Sequence, residues 1–484
     1  MAKAIEGLTP ALLWKYFAEI SAIPRCSKNE TAIARYLLDT AARLGLEAEQ
    51  DGVGNVLVRK PASPGREGVP MTCLQGHMDM VCEKNKDTVH DFSTDPLELV
   101  RRGSFLMANG TTLGADNGIA VATCLAIMED QALEHGPLEF LFTVDEETGL
   151  TGANNLQAGW LRSRTLLNLD SEEEGALYVG CSGGRDSTAT WPAGYGHVHE
   201  GAVPLLVKVG GLKGGHSGLE IHQGRGNSLK ILTRALLALE GLGGRVARME
   251  GGNKRNAIPR EAEAVVYVPE TVEPEAMASV AALQEAVASE LASIDPGVSV
   301  TAERAADAPA EVLNAELQHR VLLALAAVPH GVLKMSPDIP GLVETSTNLA
   351  ILKTDDQAVT VQTSQRSSVQ SEIEEAAQMV RAAFELSGAQ VTGSDGYPGW
   401  KPDLASPILG VARRVYQELY GREPEVKAVH AGLECGIIGE KYPGMDMVSL
   451  GPTLEGVHSP DEKIHLDTVG KFWDYVLAIL RARS

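Results

Sequence analysis

The stretch LEFLFTVDEETG, residues 138–149, runs from a short apolar segment directly into a cluster of acids. An apolar run of this length predicts a buried β-strand. The stretch TLLNLDSEE (165–173) has the same form, and TCLQGHMDM (72–80) is another short apolar run. By contrast, GADNGIAVATCLAIMED (114–130) is typical of a loop that leads into a helix. This alternation predicts an α/β domain with a mixed, largely parallel sheet and helices on both faces.

Polar side chains collect where these predicted strands end. They are Asp79, the run Asp145–Glu147, and Asp170 with its neighbours Ser171 and Glu172. Ligands of open α/β sheets bind outside the carboxyl ends of the strands. We therefore expect these side chains to converge on one site.

The pattern changes near Arg185, where strand and helix segments continue to alternate but the strands show more period-two character. This pattern of strands and helices predicts an α+β domain built from two ferredoxin-like halves. The α/β pattern of the first part of the chain resumes after a turn-rich segment, GSDGYPGWKPD (393–403). The predicted organisation is a discontinuous domain of residues 1–184 and 395–484, interrupted by an inserted domain of residues 185–394.

Bulk composition narrows the classes of function. A chain of 484 residues is too long for one ordinary hydrophobic core. Its 64 acidic against 42 basic residues give a formal charge of −22, which opposes binding to nucleic acid or to an anionic membrane. A secretory leader and a long apolar span are not apparent, so a cytoplasmic location is expected. The six scattered cysteines suit free thiols in a reducing compartment.

Two helix starts are predicted near the beginning of the chain. Thr9-Pro10 opens a helical pattern that continues to about Ile20. Ser27 is followed three residues later by Glu30, which is the spacing of a capping box for the next helix.

His77 and Asp79 lie two positions apart, so in a strand their side chains point to the same face. Such a pair alone is more often an ordinary polar contact than a metal site. Its interpretation changes because the chain also offers a set of potential partners, namely Asp116 in a glycine-flanked loop, Glu146-Glu147, Asp170 and His458. Of two adjacent glutamates, one can bind a metal ion while the other remains free to accept a proton from water.

The donor set itself indicates the kind of metal. Two imidazoles and three carboxylates, with no thiolate, suit Zn²⁺, Mn²⁺ or Co²⁺ rather than a structural zinc knot. Three carboxylate charges against two divalent ions leave one positive charge, which one hydroxide would neutralise.

Five motifs occur in an order and spacing that resemble a known family. They are GHMD (76–79), GADNG (114–118), DEETG (145–149), NLDSE (168–172) and VHSPDE (457–462). The chain resembles, over nearly its full length, the co-catalytic zinc peptidases that include aminoacylase and carboxypeptidase G. The resemblance implies a di-metal catalytic domain formed by the first domain, and a lid and dimerisation domain formed by the second.

The resemblance also implies individual roles. Asp116 would bridge two divalent ions, with zinc favoured and manganese or cobalt as alternatives. His77 and Asp170 would complete one ion, and Glu147 and His458 the other. Glu146 would be the general base, and Asp79 would bind ligand His77 and set its tautomer. A non-proline cis peptide is expected at Asp116-Asn117.

Substrate contacts are expected from the second domain and from the segment HAGLECG (430–436). By resemblance, His216 would stabilise the oxyanion at the site of a partner subunit in a homodimer, while Asn256 and Arg366 would hold the substrate. Gly432 would offer backbone contacts. His430 and Glu434 receive no role. An exposed histidine at 216 and an ordinary strand-end arginine at 366 are the alternatives.

The implied activity is hydrolysis of unblocked dipeptides, with preference for a C-terminal histidine, by a hydroxide that bridges the two ions. An N-acyl amino acid deacylase or a carboxypeptidase of the same family is the alternative. A catalytically inactive binding protein on the same fold is a third hypothesis, although none of the expected ligands is missing. Small dipeptides and a second copy of the chain are the expected partners.

Overall fold

The computed structural model describes residues 2–483, which form mixed sheets and many helices. The strands are β1 Glu47–Gln50, β2 Val56–Lys60, β3 Thr72–His77, β4 Leu99–Arg102, β5 Phe105–Ala108, β6 Leu138–Thr143, β7 Thr165–Asn168, β8 Ala176–Cys181, β9 Gly183–Pro192, β10 Tyr195–His197, β11 Ala202–Gly210, β12 Gly215–His216, β13 Arg245–Gly251, β14 Ala257–Ile258, β15 Ala262–Pro269, β16 Ser299–Arg304, β17 Glu311–Leu313, β18 Gly331–Met335, β19 Val343–Thr354, β20 Ala358–Ser367, β21 Gln390–Gly393, β22 Glu425–Val429, β23 Asp446–Ser449, β24 Leu454–Glu455 and β25 Lys463–His465. The α-helices are α1 Ala2–Ile5, α2 Ala11–Ile20, α3 Thr31–Arg43, α4 Ala115–Glu129, α5 Glu146–Gly149, α6 Thr151–Asn155, α7 Ser228–Gly241, α8 Glu273–Glu290, α9 Ala315–Ala327, α10 Gln370–Leu386, α11 Pro407–Tyr420, α12 Glu434–Lys441 and α13 Leu466–Ala482.

The chain divides into two compact units. Unit 1 comprises the chain up to Gly180, Pro402–Ala428, and the chain from Leu433 onward, whereas unit 2 comprises Cys181–Lys401 and Val429–Gly432. The short segment Val429–Gly432 lies in unit 2 because the Ser182 backbone N–H is bonded to the carbonyls of Val429 and Ala431, at 3.1 and 3.0 Å. His430 and Gly432 therefore belong to the inserted unit.

Unit 1 contains an eight-stranded sheet of order β1-β2-β6-β3-β7-β23-β8-β22. The four central strands β6, β3, β7 and β23 are parallel, whereas β1 with β2, β2 with β6 and β23 with β8 pair in the antiparallel sense. Every residue of β2, β3, β6 and β7 is buried, which is the pattern of strands covered on both faces. The predicted mixed α/β sheet is confirmed, with its parallel part confined to the centre.

Unit 2 contains a nine-stranded antiparallel sheet of order β16-β11-β15-β13-β19-β20-β9-β21, with β18 paired to β19. Strands and helices β11-α7-β13-β15-α8-β16 form one βαββαβ half, and β9-α9-β19-β20-α10-β21 form the other. The first half is inserted in the chain between β9 and α9. The predicted ferredoxin-like halves are thus confirmed.

Two predictions for the N-terminal region are wrong. Cys26 and Cys82 form a disulfide, with a Cα–Cα distance of 5.7 Å, so the six cysteines are not all thiols. Helix α3 begins at Thr31, but Ser27 and Glu30 do not cap it, because the Ser27 hydroxyl donates to Asp79 (2.8 Å) and Glu30 accepts from the backbone N–H of Lys28 and Asp145. Helix α2 begins directly after Pro10 as predicted. Among the described residues, none of the helices combines the length and apolar character needed to cross a membrane.

Candidate metal centre and substrate-binding residues

The potential ligands of unit 1 converge where the parallel strands end. His77 is the last residue of β3, and β6 and β7 end just before the acids that follow them in the chain. Because β3, β6 and β7 are parallel neighbours, their carboxyl ends meet at one edge of the sheet. Asp116 comes from the loop that starts α4, and His458 from a loop between β24 and β25.

The distances between these side chains are short. His77 Nε2 lies 3.1 Å from Asp116 Oδ1 and 3.3 Å from Asp170 Oδ1. On the other side, His458 Nε2 lies 3.1 Å from Asp116 Oδ2 and 3.0 Å from Glu147 Oε2. Asp116 thus directs one carboxylate oxygen to each of two groups of potential ligands. The resemblance implied the same two groups, and the ligand roles themselves stay a prediction.

The donor set fits divalent ions. The groups His77-Asp116-Asp170 and Asp116-Glu147-His458 each bring their ligand atoms within 4.8 Å of one another. In addition, Glu147 Oε1 is buried and accepts no hydrogen bond from the described residues, and Asp170 Oδ1 is buried with His77 Nε2 at 3.3 Å. Buried carboxylate oxygens need a compensating partner, and a cation bound between these residues would supply it.

The pKa shifts of the cluster are also compatible with a bound cation. Hydrogen bonds to Asp116 and Glu147 raise the pKa of His458 to about 11. Burial raises the pKa of Asp170 to about 6, with His77 acting against it. The carboxylates thus favour positive charge at this position, which a proton on His458 supplies here and a divalent ion bound by the neutral imidazole would supply instead.

Glu146 lies beside this cluster. Burial raises the pKa of its carboxyl group well above the usual range, with His77 acting in the opposite direction and the negative charges of Asp170 and Glu434 adding to the rise. Its carboxylate also lies within 4.8 Å of ligand atoms of His77 and Glu147. A group in this position can exchange a proton with a molecule bound at the centre.

Asp79 lies behind His77 and is completely buried. Its Oδ1 is 3.3 Å from His77 Nδ1 and accepts from the Glu146 backbone N–H at 3.1 Å, while Oδ2 accepts from the backbone N–H of Glu147 and the hydroxyl of Ser27. The carboxylate therefore connects the strand that carries His77 with the turn that carries both glutamates. This position is compatible with the role that the resemblance implied for Asp79, which stays a prediction.

The loop that carries Asp116 packs closely on β3. The Asp116-Asn117 peptide bond is cis, as the resemblance implied. A Cβ atom on Gly76 would overlap Asn117 Oδ1 and lie 2.6 Å from Ala120 Cβ, so only glycine permits this approach of α4. The Asn117 side chain donates to the Leu169 carbonyl at 2.9 Å, next to Asp170.

A buried row of polar side chains runs beneath the ligands. Gln75 is opposite Asn168, and Asn168 is opposite Ser449, on three adjacent strands. Glu434 anchors the row because its Oε2 accepts from Gln75 Nε2 at 2.6 Å and from Thr143 Oγ1 at 2.7 Å. Burial raises the pKa of Glu434 to about 7. Glu434, which the sequence left without a role, thus supports the strands that carry the candidate ligands.

In unit 2, His216 and Asn256 are adjacent. His216 pairs with Ala257 across β12 and β14, and the Ser217 N–H donates to the Asn256 carbonyl at 2.8 Å. His216 Nδ1 accepts from the backbone N–H groups of Gly218 and Leu219, so the ring proton resides on Nε2. Burial, with a contribution from Arg366, lowers the pKa of His216. The lowered pKa favours the neutral imidazole, in which Nε2–H is the donor.

Arg366, Gly432 and His430 also come together within unit 2. Tyr397 links the first two, because its hydroxyl accepts from Arg366 Nη1 at 3.1 Å and its ring would lie 2.9 Å from a Cβ atom on Gly432. Ser346, the cross-strand neighbour of Arg366, contacts His430 Nε2 at 2.7 Å. Burial and the charge of Arg366 lower the pKa of His430 to about 3, so this imidazole is neutral.

Comparison with known proteins supplies the family. Residues 73–482 match the model of "Peptidase family M20/M25/M40", and the chain belongs to that family. It is therefore an enzyme of the class that hydrolyses peptide bonds. The cytosol non-specific dipeptidase of Escherichia coli strain K12 is 41% identical over 478 residues, which cover 99% of this chain and 98% of that protein.

Solved structures agree with the fold. The crystal structure of aminoacylhistidine dipeptidase from Vibrio alginolyticus superposes with a TM-score of 0.93 at 43% identity, covering 99% of this chain and 98% of that one. The aminopeptidase PepT of Bacillus cereus has a TM-score of 0.56 at 18% identity and covers 98% of this chain and 99% of that one, a likeness that concerns the fold alone.

Proposed function

We propose that the protein is a metal-dependent dipeptidase that hydrolyses unblocked dipeptides, with preference for a C-terminal histidine. The observation that carries this proposal is the cluster of two histidines and three carboxylates with Asp116 at its centre, and the partly buried carboxyl group of Glu146 beside it. The names of the Escherichia coli and Vibrio relatives support a dipeptide substrate, and the second name supports the histidine preference.

Two divalent ions would be held by Asp116 between them, by His77 and Asp170 on one side, and by Glu147 and His458 on the other. When bound, such ions polarise the scissile carbonyl group and acidify water. Zinc is the favoured metal, and manganese or cobalt also suits the donors.

The protein's own residues then perform the proton transfers. Glu146 accepts a proton from the attacking water molecule and delivers it to the nitrogen atom of the leaving amine, so its carboxyl group returns to its starting state. Asp79 accepts a hydrogen bond from His77 Nδ1–H, which would leave Nε2 available to hold an ion.

Substrate binding is assigned to the residues of unit 2. His216 donates its Nε2–H to the oxyanion that forms as the carbonyl carbon is attacked, and a neutral histidine is suited to this role. Arg366 binds the terminal carboxylate, Asn256 holds the peptide, and Gly432 offers backbone groups. We further propose that unit 1 is the catalytic domain, that unit 2 is the lid and dimerisation domain, and that His216 acts at the metal centre of the partner in a cytoplasmic homodimer.

Replacing Glu146 tests the catalytic assignment. We expect Glu146→Ala to lose turnover by at least about 100-fold, the usual contribution of a general base, while retaining two equivalents of metal. Glu134→Ala, at an exposed glutamate of the same unit, is the control and should match the wild type. Unimpaired turnover in Glu146→Ala would refute the assignment, and loss of metal would identify Glu146 as a ligand.

The substrate class is tested by blocking the amine. A dipeptidase should hydrolyse alanyl-histidine but not its N-acetyl form, whereas a deacylase or a carboxypeptidase of the same family should accept the blocked compound. The assay should follow release of histidine from both compounds, and release of acetate from the blocked one, for each metal after chelation and reloading. Two-metal binding without hydrolysis across a broad dipeptide panel would favour the inactive binding protein instead.

A further inference from the structure

Glu462 makes an unusual set of contacts with the loop that carries Asp116. Its Oε2 accepts from the backbone N–H groups of Leu113 (2.7 Å) and Gly114 (2.9 Å), and its Oε1 accepts from those of Ala115 (2.8 Å) and Asp116 (3.3 Å). Glu462 is only 2% exposed. These four N–H groups precede the regular part of α4, so the carboxylate supplies acceptors that the helix does not.

The opposite side of the same loop is held by Arg25. Its guanidinium donates to the Gly114 carbonyl and to the carbonyls of Met78 (3.1 Å) and Asp79 (2.9 Å). Arg25 is 1% exposed, and Glu462 is the first of the negative groups that stabilise its charge. The backbone around Gly114 is therefore bound from both sides by a buried pair of opposite charges.

Glu462 also belongs to the loop that presents His458. The Glu462 N–H donates to the Ser459 carbonyl at 3.0 Å, and the Ser459 hydroxyl donates to the Gly456 carbonyl at 2.6 Å, which closes the loop into a compact turn. His458 itself has a φ angle of 62°. Through Glu462, the turn of His458 is joined directly to the loop of Asp116, although the two ligands are 342 residues apart in the chain.

We propose that Glu462 is a positioning residue that fixes Asp116 relative to His458 and so sets the affinity for the metal ion shared by Asp116, Glu147 and His458. This inference rests on the proposed function, because it assumes that those residues bind an ion. The other ion should depend less on Glu462, since His77 and Asp170 are carried by the ends of β3 and β7.

The isosteric variant Glu462→Gln tests the proposal. Glutamine keeps the volume but has one oxygen, so in either orientation its NH₂ group faces two of the four N–H donors. The matched control is Asp461→Asn, which makes the same charge change at the exposed neighbouring residue. Zn²⁺ affinities are measured on chelator-stripped full-length protein by competition with a chromogenic chelator, and folding is monitored by circular dichroism.

We expect the wild type and Asp461→Asn to bind two ions equally well. Glu462→Gln should bind one ion about 10- to 100-fold more weakly, as for other residues that support metal ligands, and the second ion within about threefold of the wild type. A residue that only stabilised the fold would lower the melting temperature without changing the relative affinities of the two ions.

A second variant, Glu462→Asp, keeps the charge but is one methylene too short to reach all four N–H groups, and it replaces Glu462→Gln if that variant does not fold. Selective weakening of one ion is again expected. If the wild type binds two ions and both affinities are unchanged in the folded variant, the positioning role of Glu462 is refuted and the proposed function is not. If the wild type binds no Zn²⁺, the proposed function is refuted as well.

Discussion

Replacing Asp79 by asparagine should impair the centre without altering any candidate ligand. The side chain is 0% exposed, and its two oxygens face four groups, namely His77 Nδ1, the backbone N–H groups of Glu146 and Glu147, and the Ser27 hydroxyl. Each of these groups donates a hydrogen bond to the carboxylate when His77 carries its proton on Nδ1. An amide has only one accepting oxygen.

The cost follows from the two possible orientations of the amide. With its NH₂ at the position of Oδ1, the asparagine faces both His77 Nδ1–H and the Glu146 N–H. With its NH₂ at the position of Oδ2, it faces the Glu147 N–H, while the Ser27 hydroxyl can turn and accept. The second orientation is the better one, and it still loses one hydrogen bond to a charged group, worth about 1.5–3 kcal/mol. The negative charge that makes His77 a stronger ligand is lost in both.

We therefore expect Asp79→Asn to reduce Zn²⁺ affinity and kcat/KM by about 10- to 100-fold, equivalent to about 1.4–2.7 kcal/mol. The assays are chelator competition and histidine release from alanyl-histidine, each with circular dichroism to verify folding. Asp39→Asn, at an exposed aspartate of α3, is the control for the charge change. Affinity and kcat/KM both within twofold of the wild type would refute the reasoning.

Two further substitutions test the surroundings of the centre. Gly76→Ala should destabilise the protein by about 1–3 kcal/mol and lower its activity, because the added methyl group overlaps the Asn117 side chain. Thermal unfolding should show a lower midpoint for this variant. The control Gly410→Ala, which has open space around its Cβ position, should keep the midpoint of the wild type. Replacing Cys26 and Cys82 together by serine should lower the free energy of unfolding by up to about 4 kcal/mol, since the disulfide spans a separation of 56 residues. In urea titrations, a reductant should cause the same loss of stability in the wild type and have no effect on the double variant. Equal stability of the wild type and the double variant without reductant would contradict the disulfide.

The convergence of the candidate ligands could be predicted from sequence because each of several strands ends in, or just before, a potential donor. Once β3, β6 and β7 are taken as parallel, His77, Glu147 and Asp170 must lie at one edge of the sheet. Asp116 and His458 come from loops; the sequence offered them as potential partners, and the family motifs gave the reason to join them with the others. The ferredoxin-like halves were likewise visible as repeated strand and helix patterns.

Apart from Asp79, the supporting residues could not be predicted, because their contacts are with residues far away in the chain and follow no recognisable sequence spacing. Arg25 donates to carbonyls 53 to 89 residues away, and Glu462 accepts from N–H groups more than 345 residues away. Ser27 and Glu30 have the spacing of a capping box, yet tertiary partners compete successfully for both side chains. Similarly, the positions of the six cysteines in the sequence do not indicate which two form a disulfide.

Each unit contains contacts that hold its own group of candidate residues. In unit 1, Asp79, Glu462 and the row anchored by Glu434 support the potential metal ligands. In unit 2, Tyr397 and Ser346 support Arg366 and His430, and backbone N–H groups set the tautomer of His216. Since each group is supported within its own unit, changes to Glu462 should appear in metal affinity, whereas changes to Tyr397 should appear in substrate affinity with metal binding intact. A substitution in unit 2 that released metal would show that the two groups depend on each other.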